Sequence, residues 1–231
     1  MNQSLYLCFV DFKKAFDIVQ HDQLWLAMLD MGFPPHLVQL LQNLYRQQLA
    51  AVKIANLTSA WFRVGKGVRQ GCNLSPCLFN ILAEQLMRKA LQGFTGGFKI
   101  GGRTISNLRY ADDIVLLATS QEKLHDLLCR VERAAKGYNM MINAGMTKVM
   151  TNTGEELAIC VEDEKLEQAG TFVYLGSRVR SDAGCTAEVK SRLAKEMAVM
   201  IKLTRIWKNK AVSTNTAFDE IIGLASGDIW L

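Results

Sequence analysis

Apolar positions along this chain alternate between strand-like runs and helical spacing, without a strict strand–helix–strand rhythm. The first run, residues 5–10, is short and apolar, as a buried strand is. Residues 22–29 follow at helical spacing and stop at Gly32. Pro34-Pro35 opens a second helix, with Leu37, Val38, Leu41, Leu44 and Tyr45 on one face. Residues 52–64 hold strand-like pieces, including Trp61-Phe62-Arg63-Val64, broken at Asn56. Ser75 and Pro76 stand where an N-cap and a first helical residue belong, and Leu78, Phe79, Ile81, Leu82 and Leu86 continue toward Gly93. Residues 98–105 read as a hairpin about Gly101-Gly102, and 105–110 as a further strand. Thr119 and Glu122 predict a capping box for a helix over 120–136, with Leu124, Leu127, Leu128 and Val131 inward and Gly137 as stop. Short strands fill 148–176, and Val189, Leu193, Met197, Met200, Thr204 and Trp207 trace an apolar stripe on a last helix. This pattern predicts an α+β fold, a sheet with helices packed on one face.

Two of the strand-like runs end in acid. Residues 5–10 run into Asp11, with Phe16 and Asp17 shortly after, and 105–110 run into Ala111-Asp112-Asp113. Carboxylates at strand ends lose hydration and repel one another, so a fold that gathers several needs a compensating cation. Hard oxygen ligands of this kind suit Mg²⁺, and a pair of such ions is how polymerases and nucleases clamp an in-line displacement. An Asp-Asp pair alone is also an ordinary surface turn. Between the two acidic segments, Gly67-Val68-Arg69-Gln70-Gly71-Cys72-Asn73-Leu74-Ser75-Pro76 is a glycine-bounded loop feeding a helix. Free N–H groups at that helix start, with Arg69 and Gln70 ahead of it, suit phosphates or a base-paired strand. By itself it is an ordinary loop-to-helix junction.

Taken in order, the three segments resemble motifs A, B and C of reverse transcriptases, most closely those of non-LTR, LINE-type retrotransposons. The resemblance rests on FVDFKKAFD (9–17), GVRQGCNLSPCLFNIL (67–82) and YADD (110–113). It continues through GYNMMIN (137–143) and Thr147-Lys148-Val149-Met150, similar to motif D, to FVYLGSRV (172–179), similar to motif E, the primer grip. It implies a polymerase palm with an antiparallel sheet, spanning 1–180, then the start of a thumb at 181–210 and a diverged tail at 211–231. It implies an RNA-directed DNA polymerase acting on an RNA template, a DNA primer and dNTPs. Two Mg²⁺ ions, with Mn²⁺ as a substitute, would be held by Asp11 and Asp112, supported by Asp113. Backbone N–H groups from Phe12 to Ala15 would face the triphosphate, and Phe16 would be the steric gate against a 2′-hydroxyl. Arg69, Gln70 and Gly71 would contact the incoming nucleotide or template base, Tyr110 the primer end, and Leu175-Gly176 the primer-grip turn. Lys148 lies two residues beyond Met146, which takes the place of the motif D lysine; on a strand both point to one face.

The resemblance begins almost at motif A, so the fingers segment and its triphosphate-gripping cations are expected elsewhere in a parent polyprotein, with the thumb and endonuclease regions. The isolated chain is accordingly expected to extend primers weakly. The alternative is a non-catalytic retroelement remnant that binds nucleic acid. An RNA-dependent RNA polymerase fits Phe16 and the Arg-Gln-Gly loop poorly, and a metal-dependent nuclease leaves the loop and primer grip unexplained.

Composition adds little except through charge. The chain of 231 residues has net charge +5, and 178–210 alone holds nine basic and three acidic residues. Arg178, Lys190, Arg192, Lys195 and Lys202 are the candidates there for tracking a nucleic-acid backbone, although a solvated helix face looks the same. The six cysteines show no paired zinc-ligand spacing and point to free thiols in a reducing compartment. No apolar run is long enough for a membrane span and the start lacks a signal-peptide pattern, which predicts an intracellular protein, nuclear or cytoplasmic.

Overall fold

The computed structural model describes residues 4–182, 184 and 186–208, with 187, 199 and 202–208 described by backbone alone. The chain falls into two compact units, Met1–Ala183 and Gly184–Leu231. The first is built on strand β1 (Tyr6–Val10), whose side chains alternate between two cores. Tyr6, Cys8 and Val10 enter the main core, while Leu7 and Phe9 face the other side. Strands β8 (Asn107–Tyr110), β9 (Asp113–Ala118), β10 (Lys148–Thr151) and β13 (Glu167–Gln168) complete a five-stranded sheet in the order β13-β10-β1-β9-β8. Every pairing is antiparallel except β10 with β13, because the chain first makes a small hairpin, β11 (Cys160–Val161) with β12 (Glu164–Lys165), and then rejoins the edge.

Helices cover one face, as the pattern predicts. In α3 (Ser75–Leu91), Leu78, Phe79, Leu82, Leu86 and Met87 are fully buried. In α4 (Gln121–Lys136), Leu124, Leu127, Leu128 and Val131 are equally inaccessible. Burying a side chain of this size contributes roughly 1.5–3 kcal/mol each, so these two helices anchor that face of the sheet. Helices α1 (His21–Asp30) and α2 (Pro35–Arg46) add an outer layer. The opposite face of the sheet is covered by a hairpin, β14 (Thr171–Tyr174) with β15 (Ser177–Arg180), whose Phe172 stacks on Phe9 at 4.1 Å. That second cover was not legible in the periodicity.

Several boundaries shift. Helix α3 starts at Ser75 after Leu74, one residue earlier than expected, and α4 is capped by Ser120, not Thr119, with Ser120 Oγ accepting the Lys123 N–H at 3.3 Å. The expected strand over 105–110 is two pieces: Ile105 ends β7 (Arg103–Ile105), which pairs with β6 (Phe98–Ile100), before β8 begins. On α2, Val38, Leu41 and Tyr45 are buried while Leu37 and Leu44 are exposed. The segment at 49–63 is a β-ribbon of two paired pieces, β2 (Leu49–Ala50) with β5 (Phe62–Arg63) and β3 (Lys53–Ile54) with β4 (Leu57–Thr58), turning at Ala55-Asn56. In the second unit, α5 runs Thr186–Lys208, and Val189, Leu193, Met197 and Met200 of its expected stripe are exposed. The side chains of Lys202, Thr204 and Trp207 and the tail at 211–231 lie outside the described residues. Among the described residues no helix is long and apolar enough to cross a membrane, and the five cysteines described are free.

Candidate active site

Strand register brings the distant acids together. Val10 pairs with Ile114, so Asp11, one residue past β1, comes alongside Asp113 at the start of β9. Tyr110 pairs with Asp113, which leaves Ala111-Asp112 as a two-residue turn between β8 and β9. Ala111 holds φ +52, a left-handed conformation unfavourable for any residue with a Cβ. Strand alternation sets Asp11 and Asp113 on the same face as Phe9 and Val115, the face that the β14–β15 hairpin covers. A pocket of about 270 Å³ opens there between Asp11, Asp113, Lys148, Phe172 and Tyr174. Met146 lines it too, so Met146 and Lys148 do share a face.

The carboxylates disturb one another. Burial pushes the Asp11 carboxyl above its ordinary range, an effect that the Asn143 hydrogen bond opposes and the Asp112 charge reinforces. Asp113 is raised by burial first, then by Asp112 and Asp11. Asp11 is held in place by residues far away in sequence. Asn143 Nδ2 donates to Asp11 Oδ2 at 3.0 Å, the Asn143 N–H donates to the Asp11 carbonyl at 2.8 Å, and the Asp11 N–H donates to the buried Thr147 hydroxyl at 3.2 Å. Sequence pattern assigns neither support: both residues lie within the motif likeness, but their contact spans more than 130 residues, which no spacing rule covers. Lys148 is occupied by an ion pair with Glu167 on β13.

The segment after Asp11 departs from expectation. Phe12 is buried and bridges to Ile142, and the Lys13 N–H donates to the Met141 carbonyl at 2.9 Å, so that N–H is not presented to a triphosphate. Ala15 is buried as well. Phe16 is half-buried, stacked on Phe79 at 4.8 Å, and lines a cleft of about 660 Å³ whose far wall is Arg109, Tyr110 and Ala111. The aromatic edge and the acidic turn thus border one opening. Tyr110 itself is exposed.

The glycine-bounded loop docks on the same segment. Gly67 N–H donates to the Val19 carbonyl and Val68 N–H to the Phe16 carbonyl, both at 2.8 Å. A Cβ on Gly67 would fall 2.8 Å from the Asp17 carbonyl oxygen, and its φ of +88 already demands glycine. Gln70 Nε2 donates to Asp17 Oδ1 at 3.1 Å. At Gly71 the demand is conformational alone, φ +78, since a Cβ there would meet no atom within 4 Å. Arg69 lies over the Tyr45 ring at 5.9 Å, and the Gln48 amide oxygen accepts from its Nε at 3.1 Å in the orientation that satisfies both groups. His21 donates from Nε2 to the Gly67 carbonyl at 2.8 Å.

Leu175-Gly176 forms the tip of the β14–β15 hairpin with φ +48 and +75, so both central residues are left-handed, as in a type I′ turn. Tyr174 Oη reaches the Asp113 carbonyl at 3.5 Å, tying that hairpin to the acidic corner. Arg178 is exposed on β15. Lys190, Arg192 and Lys195 are exposed on α5, where Arg192 pairs with Glu188 at 2.7 Å. Lys202 belongs to the part of α5 described by backbone alone.

Residues 1–179 match the family described as reverse transcriptase (RNA-dependent DNA polymerase). The chain belongs to the reverse transcriptase family. Its relatives include the Pol polyprotein of the type-1 retrotransposable element R2 of Nasonia vitripennis, 33% identical over 71% of this chain and 16% of that protein. The RNA-directed DNA polymerase from mobile element jockey of Drosophila funebris is 27% identical over 73% of this chain and 19% of its own. The match thus spans under a fifth of the length of these retrotransposon relatives. Among solved structures, apo telomerase of Candida tropicalis, truncated from its C-terminal domain, superposes with a TM-score of 0.59 at 14% identity, over 78% of this chain and 35% of that one. At that identity the likeness speaks for the fold, an α+β polymerase palm. Reverse transcriptases generally use divalent metal ions. Among the described residues no three acidic, histidine or cysteine side chains gather closely enough to enclose an ion by themselves. The donor set still fits Mg²⁺, which is commonly held by one or two carboxylates with substrate phosphates and waters filling the rest.

Proposed function

We propose that this chain is the palm of an RNA-directed DNA polymerase that joins dNTPs to a primer 3′-hydroxyl on an RNA template. One observation carries the reading: the β1–β9 register sets Asp11 beside Asp113 and the Asp112 turn, in the order and surroundings of motifs A and C. Asp11 and Asp112 would hold Mg²⁺, with Asp113 in support. Bound there, the ions would supply activation of the 3′-hydroxyl and neutralisation of the triphosphate. The protein's own part is positioning. Asn143 and Thr147 fix Asp11, Phe16 borders the sugar side of the cleft, and the Leu175-Gly176 tip steadies the primer end. Lys148, released from Glu167, is the cation within reach of the same pocket, and Gln70 with Gly71 would meet the incoming nucleotide.

The test is primer extension on poly(rA)/oligo(dT) with Mg²⁺, using the chain alone and the chain joined to the segment that precedes motif A in an R2 relative. The joined protein should extend the primer and the chain alone only weakly. Asp112→Asn in the joined protein should lose ~100-fold or more, the scale of removing one electrostatic clamp. Unchanged extension by that variant would refute the assignment.

A further inference from the structure

Segment 46–69 carries Arg46, Lys53, Arg63, Lys66 and Arg69 and no acidic residue, a local charge equal to the +5 of the whole chain. Elsewhere in the same unit Arg88 and Arg109 share Glu84, Arg130 holds Asp126, Lys136 holds Glu132 and Lys165 holds Glu156, while scattered cations such as Lys13, Lys99 and Arg103 also lack an ion pair among the described residues. What sets 46–69 apart is five cations in one segment with no acid among them. Arg46, Lys53, Arg63 and Lys66 are exposed and make no ion pair among the described residues. The same ribbon exposes two aromatic rings at successive positions, Trp61 at 69% and Phe62 at 49%. At its base lies a cleft of about 720 Å³, lined by Gln48, Phe62, Arg63, Lys66 and Arg69 and reaching Asp17 beside Gln70.

Unpaired cations interleaved with exposed aromatic rings are the combination that holds unpaired nucleic acid. Bases have faces to stack on rings, and phosphates have charge to match. A duplex, whose bases are already stacked, offers only the second. A purely apolar partner would leave four cations without counter-charge. We propose that the ribbon at 48–64 and the cleft at its base bind a single strand, the unpaired stretch of the RNA template, by stacking on Trp61 and Phe62 and by phosphate contacts from Lys53, Arg63 and Lys66. The identity of that strand rests on the polymerase reading; the binding of unpaired nucleic acid does not. Gly67, Val68 and Arg69 continue from the cleft into the loop that docks on Phe16 and Val19, so a strand held here is led toward the motif A–B junction.

The experiment measures fluorescence anisotropy of the full chain with a labelled single-stranded oligo(rA) and, separately, with a blunt rA/dT duplex, in EDTA and without nucleotide. Trp61→Ala with Phe62→Ala should weaken single-strand binding ~10-fold or more and leave duplex binding within about twofold. Arg63→Glu with Lys66→Glu should flatten the dependence of single-strand affinity on salt, by ~0.7 in log–log slope for each phosphate the variant no longer neutralises. All four side chains are exposed, and an unchanged circular dichroism melt confirms folded variants. Single-strand binding that ignores both pairs overturns the proposal. So does equal weakening on strand and duplex, or a concentration-dependent dimer in sedimentation that the aromatic variant abolishes, since a second copy would then occupy the face. Because metal and nucleotide are absent from the assay, failure of extension and failure of this binding are separately visible.

Discussion

Asp113 loses hydration and faces Asp112 and Asp11, so its charged form is disfavoured in the folded chain. A carboxyl raised in this way takes up its proton more readily folded than unfolded. Folding stability contributed by the group therefore falls as pH climbs from the ordinary value through the raised one, and stays low at neutral pH. Asp113→Asn should raise the melting temperature at pH 7 in EDTA, and the advantage should shrink as the buffer is acidified toward pH 4. Differential scanning fluorimetry across that range checks it; a variant less stable than the parent at pH 7 would contradict the repulsion. Phe16 poses a different residue-scale question, because its ring both packs on Phe79 and borders the cleft. In the extended protein, Phe16→Ala should improve ribonucleotide over deoxynucleotide use ~10-fold or more, the order that one steric contact governs. Competitive incorporation of rATP against dATP on a poly(rU) template reads this directly, and unchanged discrimination would remove Phe16 from the sugar.

At the scale of elements, the β14–β15 hairpin both covers the second face of the sheet and carries the proposed primer grip. Phe172 stacked on Phe9, with Tyr174 near the Asp113 carbonyl, joins those roles. Phe172→Ala should cost about 2 kcal/mol, below the ~3–5 of a fully buried phenylalanine because Phe172 is only half-buried. Urea denaturation measures that cost. In the extended protein the same variant should raise KM for primer–template more than it lowers kcat, since the acids stay anchored by the β1–β9 ladder. A pure kcat loss would mean that the hairpin positions the acids themselves.

At the scale of the whole molecule, the ribbon of the first unit and α5 of the second each present exposed basic side chains among the described residues. Lys190→Glu, Arg192→Glu and Lys195→Glu together should weaken binding of a primer–template duplex severalfold at low salt and make it less salt-dependent, while Asp112→Asn leaves binding nearly unchanged. Filter binding across a salt series tests this. Duplex affinity untouched by the three reversals would assign α5 to a solvated or protein-facing role. Arg192 should contribute least of the three, being paired with Glu188 one turn away.

Periodicity alone specified the buried faces of α3 and α4, because a helix against a sheet must repeat its apolar residues every three to four positions. Motif order specified the family, since the segments that carry the resemblance are local runs legible before any packing is known. Helix starts read one residue off at Ser75, where the cap position falls on Leu74 with no side-chain hydrogen bond, and at Thr119, where the neighbouring Ser120 takes the cap; backbone geometry settles both. What the tertiary structure decided is contact between segments far apart in sequence. Asn143 and Thr147 on Asp11, Gly67 against Asp17, and the hairpin beneath Phe9 depend on strand register and packing, and local pattern carries no information about which distant partner will be met. The charge of the ribbon was likewise present in the sequence, but only the structure shows that Lys53, Arg63 and Lys66, with Trp61 and Phe62, all stand exposed on it.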